Sequence, residues 1–258
     1  MIETIANHRY RIMIAGESGQ GINSIGEILA KTAKRSGFFV FGNREYPSII
    51  KGGHACYQVE LSDLPIFSQS GLCDLLVCIS RQSVHAYLKR LRKGGVLVHS
   101  LYKLSLSEVE QTLIQDQQLS IEYIDAGSLA LEHGGKTVMA NTILLGVIWK
   151  SISSDLSLLS QAIREQFADK PEVIDPNLAC LKAGHEYELQ HSSMEKIDIS
   201  ATNPDKEHAL LISGNELIAL GAISAGVRVF SSYPMTPSSS ILTYLANTAS
   251  KTGMLVKQ

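Results

Sequence analysis

The chain has 258 residues, of which 45% are hydrophobic and 19% charged, and its formal net charge is −2. This length suits one large domain or one and a half ordinary ones, and the near-neutral charge argues against a protein built to bind nucleic acid through its phosphate backbone. The four cysteines form no CxxC pair, and we expect no metal site held by this chain alone, no signal peptide and no membrane span.

The first part of the chain alternates short apolar runs with segments of helical periodicity. Predicted strands are "RIMIAG", "FFVFG", "LCDLLVCIS" and "GGVLVHS", and "HACYQVELSD" has the alternation of a half-exposed strand. Predicted helices are "GINSIGEILAKTAKRSG" and "RQSVHAYLKRLRKG". The basic residues 89, 90, 92 and 93 are expected to form a solvated end of the second helix.

The same alternation continues to residue 189. It predicts a helix at "LSLSEVEQTLIQDQQ", a strand at "LSIEYIDAG", a buried helix at "KTVMANTILLGVIWKSI" and amphipathic helices at "DLSLLSQAIREQFAD" and "IDPNLACLKAGHEYELQ". Strand–helix alternation is typical of the α/β class, so we predict a doubly wound, mostly parallel sheet over residues 1–189.

Residues 190–208 are polar and predict a linker. The alternation then resumes with "ALLISG", "NELIALGAISAG", "VRVFSSYP", "PSSSILTYLANTASKTG" and "MLVKQ". Residues 209–258 therefore read as an incomplete second α/β unit. So short a segment buries too little apolar surface to stand alone, and we expect it to be truncated or to borrow a sheet from elsewhere.

Glycines cluster where the first predicted strand turns into the first predicted helix. "IAGESGQGINSIG" contains Gly19, Gln20 and Gly21, and such a turn can present free helix N–H groups to an anion. The dinucleotide fingerprint fails because Ser24 replaces its last glycine, and the P-loop fails because Ile22 replaces its lysine. Two interpretations stay open: a structural turn that binds nothing, or a turn that receives another phosphate-bearing ligand.

Cationic side chains follow the second predicted strand. "GNREYPSIIKGGHACYQVELSD" contains Arg44, Lys51 and His54, and in a doubly wound sheet this loop lies beside the glycine loop. Arg44 and Lys51 could hold a phosphate or a carboxylate there. The alternative is a charged surface loop, and His54 alone favours a structural role.

A stiff turn lies near the end of the printed sequence. In "SSYPMTPSSS", Tyr233 precedes two prolines, Pro234 and Pro237, which fix two φ angles around Thr236. One of the following serines, Ser238 or Ser239, is expected to cap the next helix. From these residues alone, a terminal turn with a helix cap is the simpler interpretation.

Several stretches together resemble one enzyme family. "GESGQGINSIGEIL", "NREYPSIIKGGHACYQVELSD" and "ANTILLGVIW" resemble the gamma domain of 2-oxoacid:ferredoxin oxidoreductases, and "SGNELIALGAISAGVRVFSSYPMTPSSSI" resembles the start of their alpha domain. The fused order is similar to that of alpha subunits of the 2-oxoglutarate:acceptor type. In one departure, Ser18-Gly19 stands where the family has two adjacent glycines before Gln.

The resemblance implies thiamine diphosphate-dependent oxidative decarboxylation of a 2-oxo acid to an acyl-coenzyme A, with electrons passed to ferredoxin. It places Tyr233, Pro234 and Thr236 at the thiamine diphosphate, with Thr236 as a catalytic residue. It assigns Gly19, Gln20 and Gly21, with Arg44 or Lys51, only loosely to coenzyme A. The fused order favours 2-oxoglutarate and leaves pyruvate open.

The resemblance also implies partners. A beta subunit would carry the iron–sulfur cluster and the magnesium, and the glutamate that activates thiamine follows the strand matching "MLVKQ" in the family. We therefore expect this chain to hold no cofactor alone, to be inactive alone and to work in the cytoplasm, away from nucleic acid and membranes. The alternatives are a non-catalytic α/β fragment and a coenzyme- or nucleotide-binding module.

Overall fold

A computed structural model describes residues 9–45, 54–189, 201–205, 208–235 and 237–258. The chain divides into two compact units, Met1–His208 and Ala209–Gln258. The boundary falls at the end of the predicted linker. Within that linker, Thr202 donates a hydrogen bond to the carbonyl of Asp63 (2.6 Å), so its described part is fastened to the first unit.

The first unit is built on a six-stranded sheet with the order β2-β3-β1-β4-β5-β6. The strands are β1 (Arg9–Glu17), β2 (Phe39–Glu45), β3 (His54–Ser62), β4 (Cys73–Cys78), β5 (Leu91–His99) and β6 (Ser120–Tyr123). Strands β1, β4, β5 and β6 pair in parallel, whereas β3 runs antiparallel to both β1 and β2. The predicted α/β class with a mostly parallel sheet is confirmed, and its carboxyl edge collects the ends of β1, β2, β4, β5 and β6.

Helices cover both faces of this sheet. They are α1 (Ile22–Arg35), α2 (Arg81–Tyr87), α3 (Glu108–Gln117), α4 (Ala126–Glu132), α5 (Ala140–Lys150), α6 (Ser157–Gln166) and α7 (Ile174–Glu186). Because side chains alternate along a strand, Ile12 and Ile14 of β1 pack in the larger core with α1, α5, α6 and α7. Met13 packs on the opposite face with Val84 of α2. A strand buried on both faces reads as a continuous apolar run, as "RIMIAG" does.

Strand β3 is more buried than its sequence predicts. The expected half-exposed strand lies between β1 and β2, and its residues from Cys56 to Ser62 are buried. Its buried Glu60 is paired with Arg9 (3.2 Å) and accepts the Ser70 N–H (2.6 Å). Alternation here separates two covered faces. The Gln58 Nε2 group donates to Glu60 and to the Ser70 carbonyl, whereas the buried Gln58 Oε1 atom has no hydrogen-bond partner among the described residues.

The helix predicted at "RQSVHAYLKRLRKG" is shorter than expected. Helix α2 ends at Tyr87, a 3₁₀ turn follows, and β5 begins at Leu91. Arg90 pairs with Glu45 (2.6 Å), and Arg92 pairs with the buried Asp74. Lys89, Arg92 and Lys93 are exposed as expected, but the predicted helix end was wrong, because tertiary ion pairs and the strand ladder outweigh local helix propensity.

The second unit contains α8 (Gly214–Ser224), β7 (Val229–Ser231), α9 (Ser239–Thr252) and β8 (Leu255–Lys257). Strands β7 and β8 form a parallel pair, and the buried core consists of Ala219, Leu245 and Met254. The prediction of a strand at "ALLISG" was wrong, because residues 209–213 are irregular. Among the described residues, β7 and β8 pair only with each other, so residues 209–213 have no partner strand. Within the described part of the chain, every helix is too short or too polar to cross a bilayer.

Candidate functional site

The glycine loop joins β1 to α1 at the carboxyl edge of the sheet. Gly19 and Gly21 have positive φ angles of 89° and 77°, which favour glycine. Gly21 is the N-cap residue of α1, and no side chain caps the first turn of that helix. A Cβ atom added at Gly19 would meet nothing within 4 Å. The loop therefore leaves open space beside Gly19 and uncapped N–H groups at the start of a 14-residue helix.

The side chain of Gln20 forms a hydrogen bond inside this loop. Its Oε1 accepts a hydrogen bond from the Glu17 N–H at 2.7 Å, and its own backbone N–H donates to the Glu17 carbonyl at 3.2 Å. Gln20 thus shapes the turn, and its amide oxygen is already engaged.

Asn141 fastens the loop from the start of α5. Its Nδ2 donates to the Gln20 carbonyl oxygen at 2.8 Å, and a Cβ atom added at Gly21 would lie 2.5 Å from that same nitrogen. Sequence reasoning did not single out Asn141 as a site residue. The available signal was its place in "ANTILLGVIW", one of the stretches that carry the family resemblance.

Arg44 lies at the carboxyl end of β2, on the same edge of the sheet as the glycine loop. Its guanidinium pairs with Glu27 of α1 at 2.5 Å and lies 4.7 Å above the Tyr57 ring. Strand β3 lies between β2 and β1, so Arg44 and the glycine loop share an edge of the sheet but do not follow adjacent strands. The Arg44 charge already has a carboxylate partner. Lys51, the other predicted cation, lies outside the described residues.

A second polar cluster surrounds Cys56 on the opposite face of the sheet. Glu45 accepts a hydrogen bond from the Tyr87 hydroxyl (3.1 Å) and pairs with Arg90 (2.6 Å). Burial, reinforced by the Glu45 carboxylate, raises the pKa of the Cys56 thiol to about 11. The thiol therefore stays protonated at neutral pH, and this cluster supplies no thiolate nucleophile.

In the second unit, the turn after β7 carries the predicted thiamine-side residues. Tyr233 is 81% exposed and is followed by Pro234 in irregular backbone. Thr236 lies outside the described residues. Ser238, one of the two predicted capping residues, occupies the N-cap position of α9. Its hydroxyl donates to the Met235 carbonyl (2.9 Å) and makes no hydrogen bond to the N–H groups of the helix.

Asn215 holds this turn against the start of α8. Its Nδ2 donates to the Pro237 carbonyl at 2.8 Å and to the Ser240 hydroxyl at 2.7 Å. Sequence reasoning missed this residue, because the contact spans 22 residues and leaves no periodic signal.

Comparison with known proteins gives a consistent result for both units. The pyruvate ferredoxin/flavodoxin oxidoreductase family matches residues 11–187. The 2-oxoglutarate oxidoreductase subunit KorA of Mycobacterium tuberculosis is 27% identical over 90% of this chain and 40% of its own length. The 2-oxoglutarate synthase subunit KorC of Methanothermobacter thermautotrophicus is 27% identical over 71% of this chain and 97% of its own length.

A solved structure has the same fold. The 2-oxoglutarate:ferredoxin oxidoreductase from Magnetococcus marinus, solved with 2-oxoglutarate, coenzyme A and succinyl-CoA bound, matches with a TM-score of 0.82 at 24% identity, over 97% of this chain and 43% of that chain. This chain spans about two fifths of the length of the curated alpha-subunit relatives that match most of it.

Proposed function

The chain belongs to the pyruvate ferredoxin/flavodoxin oxidoreductase family, and we propose that it works in a complex that oxidatively decarboxylates a 2-oxo acid. One 2-oxo acid anion, one coenzyme A thiol and two oxidised ferredoxins yield an acyl-CoA, carbon dioxide, two reduced ferredoxins and a proton. The observation that carries this proposal is the family match over residues 11–187, together with similarity to KorA that covers 90% of the chain.

The favoured substrate is 2-oxoglutarate. The named relatives from Mycobacterium and Methanothermobacter act in 2-oxoglutarate chemistry, and one matches nearly the whole chain while the other matches its first unit. Pyruvate is the second substrate to test, because the family is also described by it.

We assign residues 1–189 to a gamma-type domain, 190–208 to a linker and 209–258 to the start of an alpha-type domain. The freestanding Methanothermobacter subunit, of which 97% is matched by this chain, supports the first assignment. In the proposed complex, a beta subunit carries the iron–sulfur cluster and magnesium, ferredoxin accepts the electrons, and the assembly works in the cytoplasm. This chain alone is expected to be inactive.

The glycine loop is proposed to face coenzyme A. The open space at Gly19 and the uncapped start of α1 fit the close approach of an anionic group. Because Arg44 is paired with Glu27, Lys51 is the better cation for a coenzyme A phosphate, and Gln20 shapes the loop that receives it. Lys51→Ala should then raise the KM for coenzyme A and leave the KM for the oxo acid unchanged.

The turn at Tyr233, Pro234 and Thr236 is proposed to face thiamine diphosphate, which when bound supplies the electron sink for decarboxylation. The two prolines limit the backbone freedom of the turn, and Asn215 fastens it to α8. A hydroxyl on such a turn is positioned with a small loss of conformational entropy. We propose that Thr236 donates a hydrogen bond to the oxo-acid substrate.

The test uses the natural polypeptide that contains these residues, purified anaerobically with its associated subunits. Reduction of ferredoxin should require a 2-oxo acid and coenzyme A, and 2-oxoglutarate should give a higher kcat/KM than pyruvate. A higher value for pyruvate would overturn the substrate assignment. Loss of the coenzyme A requirement would overturn the proposed reaction.

A further inference from the structure

A cavity opens at the carboxyl ends of β5 and β6, away from the glycine loop. Its volume is about 380 Å³, and its apolar wall comes from Leu101, Leu104, Leu106 and Ile121. Strand β4 separates β5 from β1 in the sheet, so this cavity and the glycine loop occupy different places on the edge. Its size falls in the range of small-molecule sites, which combine apolar walls with a few convergent polar groups.

His99 supplies one of those polar groups in a defined tautomer. The imidazole lines the cavity and is only 5% exposed. The Leu101 N–H donates to His99 Nδ1 at 3.2 Å, so the proton of the neutral ring lies on Nε2. Burial lowers the pKa of His99, which keeps the ring neutral at pH 7. Among the residues that the structure describes, the Nε2 N–H has no hydrogen-bond partner.

Two tyrosines and a lysine complete the polar and aromatic rim. The Tyr123 ring lies 5.6 Å from the His99 ring at an interplanar angle of 47°. The Lys103 ammonium lies 5.2 Å from the centre of the Tyr102 ring. Within the described part of the chain, Lys103 has no carboxylate partner. The rim therefore offers aromatic faces, one available positive charge and one neutral N–H donor.

The loop that carries Lys103 is held in place from α2. Arg81 donates to the Lys103 carbonyl at 3.0 Å and to the Ser105 hydroxyl at 3.2 Å. Lys103 itself has a left-handed backbone with φ of 58°. The loop is thus built as one wall of a preformed cavity, and the Arg81 guanidinium is used to hold it.

We propose that this cavity binds a small aromatic carboxylate. The ring of the ligand would pack against Tyr102 and Tyr123, and its carboxylate would pair with Lys103 and accept a hydrogen bond from His99 Nε2. One cation and one neutral donor match a single negative charge, whereas a phosphate dianion is usually bound by more donors. The apolar wall selects an aromatic ring over a polar sugar.

The probe is indole-3-acetate, titrated into the full chain and followed by NMR chemical shifts of His99 and of residues 101–106. We expect saturable binding with a Kd on the order of 0.1–1 mM. The uncharged indole-3-acetamide and the non-aromatic cyclohexylacetate should each bind at least about fivefold more weakly. Failure of indole-3-acetate to saturate these shifts would overturn the proposal.

Variants separate the site from nonspecific binding. Lys103→Asn removes the charge and keeps a residue that tolerates the left-handed backbone, so it should weaken indole-3-acetate binding by about fivefold or more. Lys93→Asn, at the opposite end of β5, should leave the Kd unchanged. His99→Phe should weaken binding while keeping an aromatic ring. Equal Kd values for the Lys103 and Lys93 variants would contradict the assignment.

Discussion

Asn141 Nδ2 donates a hydrogen bond to the Gln20 carbonyl oxygen at 2.8 Å, and this contact joins the start of α5 to the glycine loop across 121 positions of sequence. The carbonyl sits one residue before the N-cap of α1. Asn141 therefore holds the backbone whose N–H groups are proposed to face coenzyme A.

Removing this contact should loosen the loop. Asn141→Ala should lower the free energy of unfolding by about 1 kcal/mol, and in the complete enzyme it should raise the KM for coenzyme A more than it changes the KM for the oxo acid. Gln111→Ala is the matched control, since its side-chain amide also donates to a backbone carbonyl, that of Leu106, but on α3. Equal effects of both substitutions on coenzyme A would show that the Asn141 contact has no special place in the site.

Gly21 has a positive φ angle and also lies too close to Asn141 for a Cβ atom, and comparison with Gly134 separates these two effects. Gly21 and Gly134 have φ angles of 77° and 75°, but only at Gly21 would a Cβ atom meet Asn141. Gly134→Ala should cost about 1–2 kcal/mol from backbone strain alone. Gly21→Ala should cost about 1–3 kcal/mol more, because a side chain must also shift. Urea unfolding measures both, and equal losses would contradict the proposed close packing.

The sequence predicted much of the first unit, because its strands are continuous apolar runs and α1 has a clear apolar face. Ile12 and Ile14 on one side of β1, and Met13 on the other, explain why "RIMIAG" could be read correctly. The position of β3 between β1 and β2 was not predictable from alternation, since both of its faces are covered.

Contacts between distant segments account for what the sequence could not predict. Residues expected at a helix end lie instead at the start of β5, where Arg90 pairs with Glu45 and Arg92 pairs with Asp74. Asn141 and Asn215 each hold a proposed site loop through one amide group, and neither contact leaves a periodic pattern. Thr236 and Lys51 remain sequence-based proposals.

Burial of His99 should make stability depend on pH. Its pKa is lowered from the ordinary 6.5 by burial, so below about pH 6.5 the unfolded chain binds a proton that the folded chain does not. The free energy of unfolding should therefore decrease as the pH is lowered. His99→Phe should make this decrease between about pH 7.5 and about pH 5.5 smaller by up to ~1 kcal/mol. The exposed His133, changed to Phe, is the control. An identical pH dependence for the His99 variant and the wild type would refute this role.

The proposed role of Thr236 can be isolated by shape-conserving substitution. Thr236→Val in the complete enzyme removes one hydrogen bond, at a cost of about 1–3 kcal/mol, which corresponds to a roughly 5- to 150-fold loss of kcat/KM for the oxo acid. Thr236→Ser keeps the hydroxyl and should retain much of the activity. Full activity of the Val variant would leave the turn with a structural role only.

The most direct measurement is product analysis by mass spectrometry. The natural polypeptide containing these residues, purified anaerobically with its subunits, is supplied with uniformly ¹³C-labelled 2-oxoglutarate, unlabelled coenzyme A and oxidised ferredoxin. The proposed function predicts succinyl-CoA labelled in all of its succinyl carbons, an equal amount of labelled carbon dioxide, and two reduced ferredoxins for each acyl-CoA formed. An intact complex that forms no labelled acyl-CoA from 2-oxoglutarate, or from labelled pyruvate in its place, would contradict the proposed function.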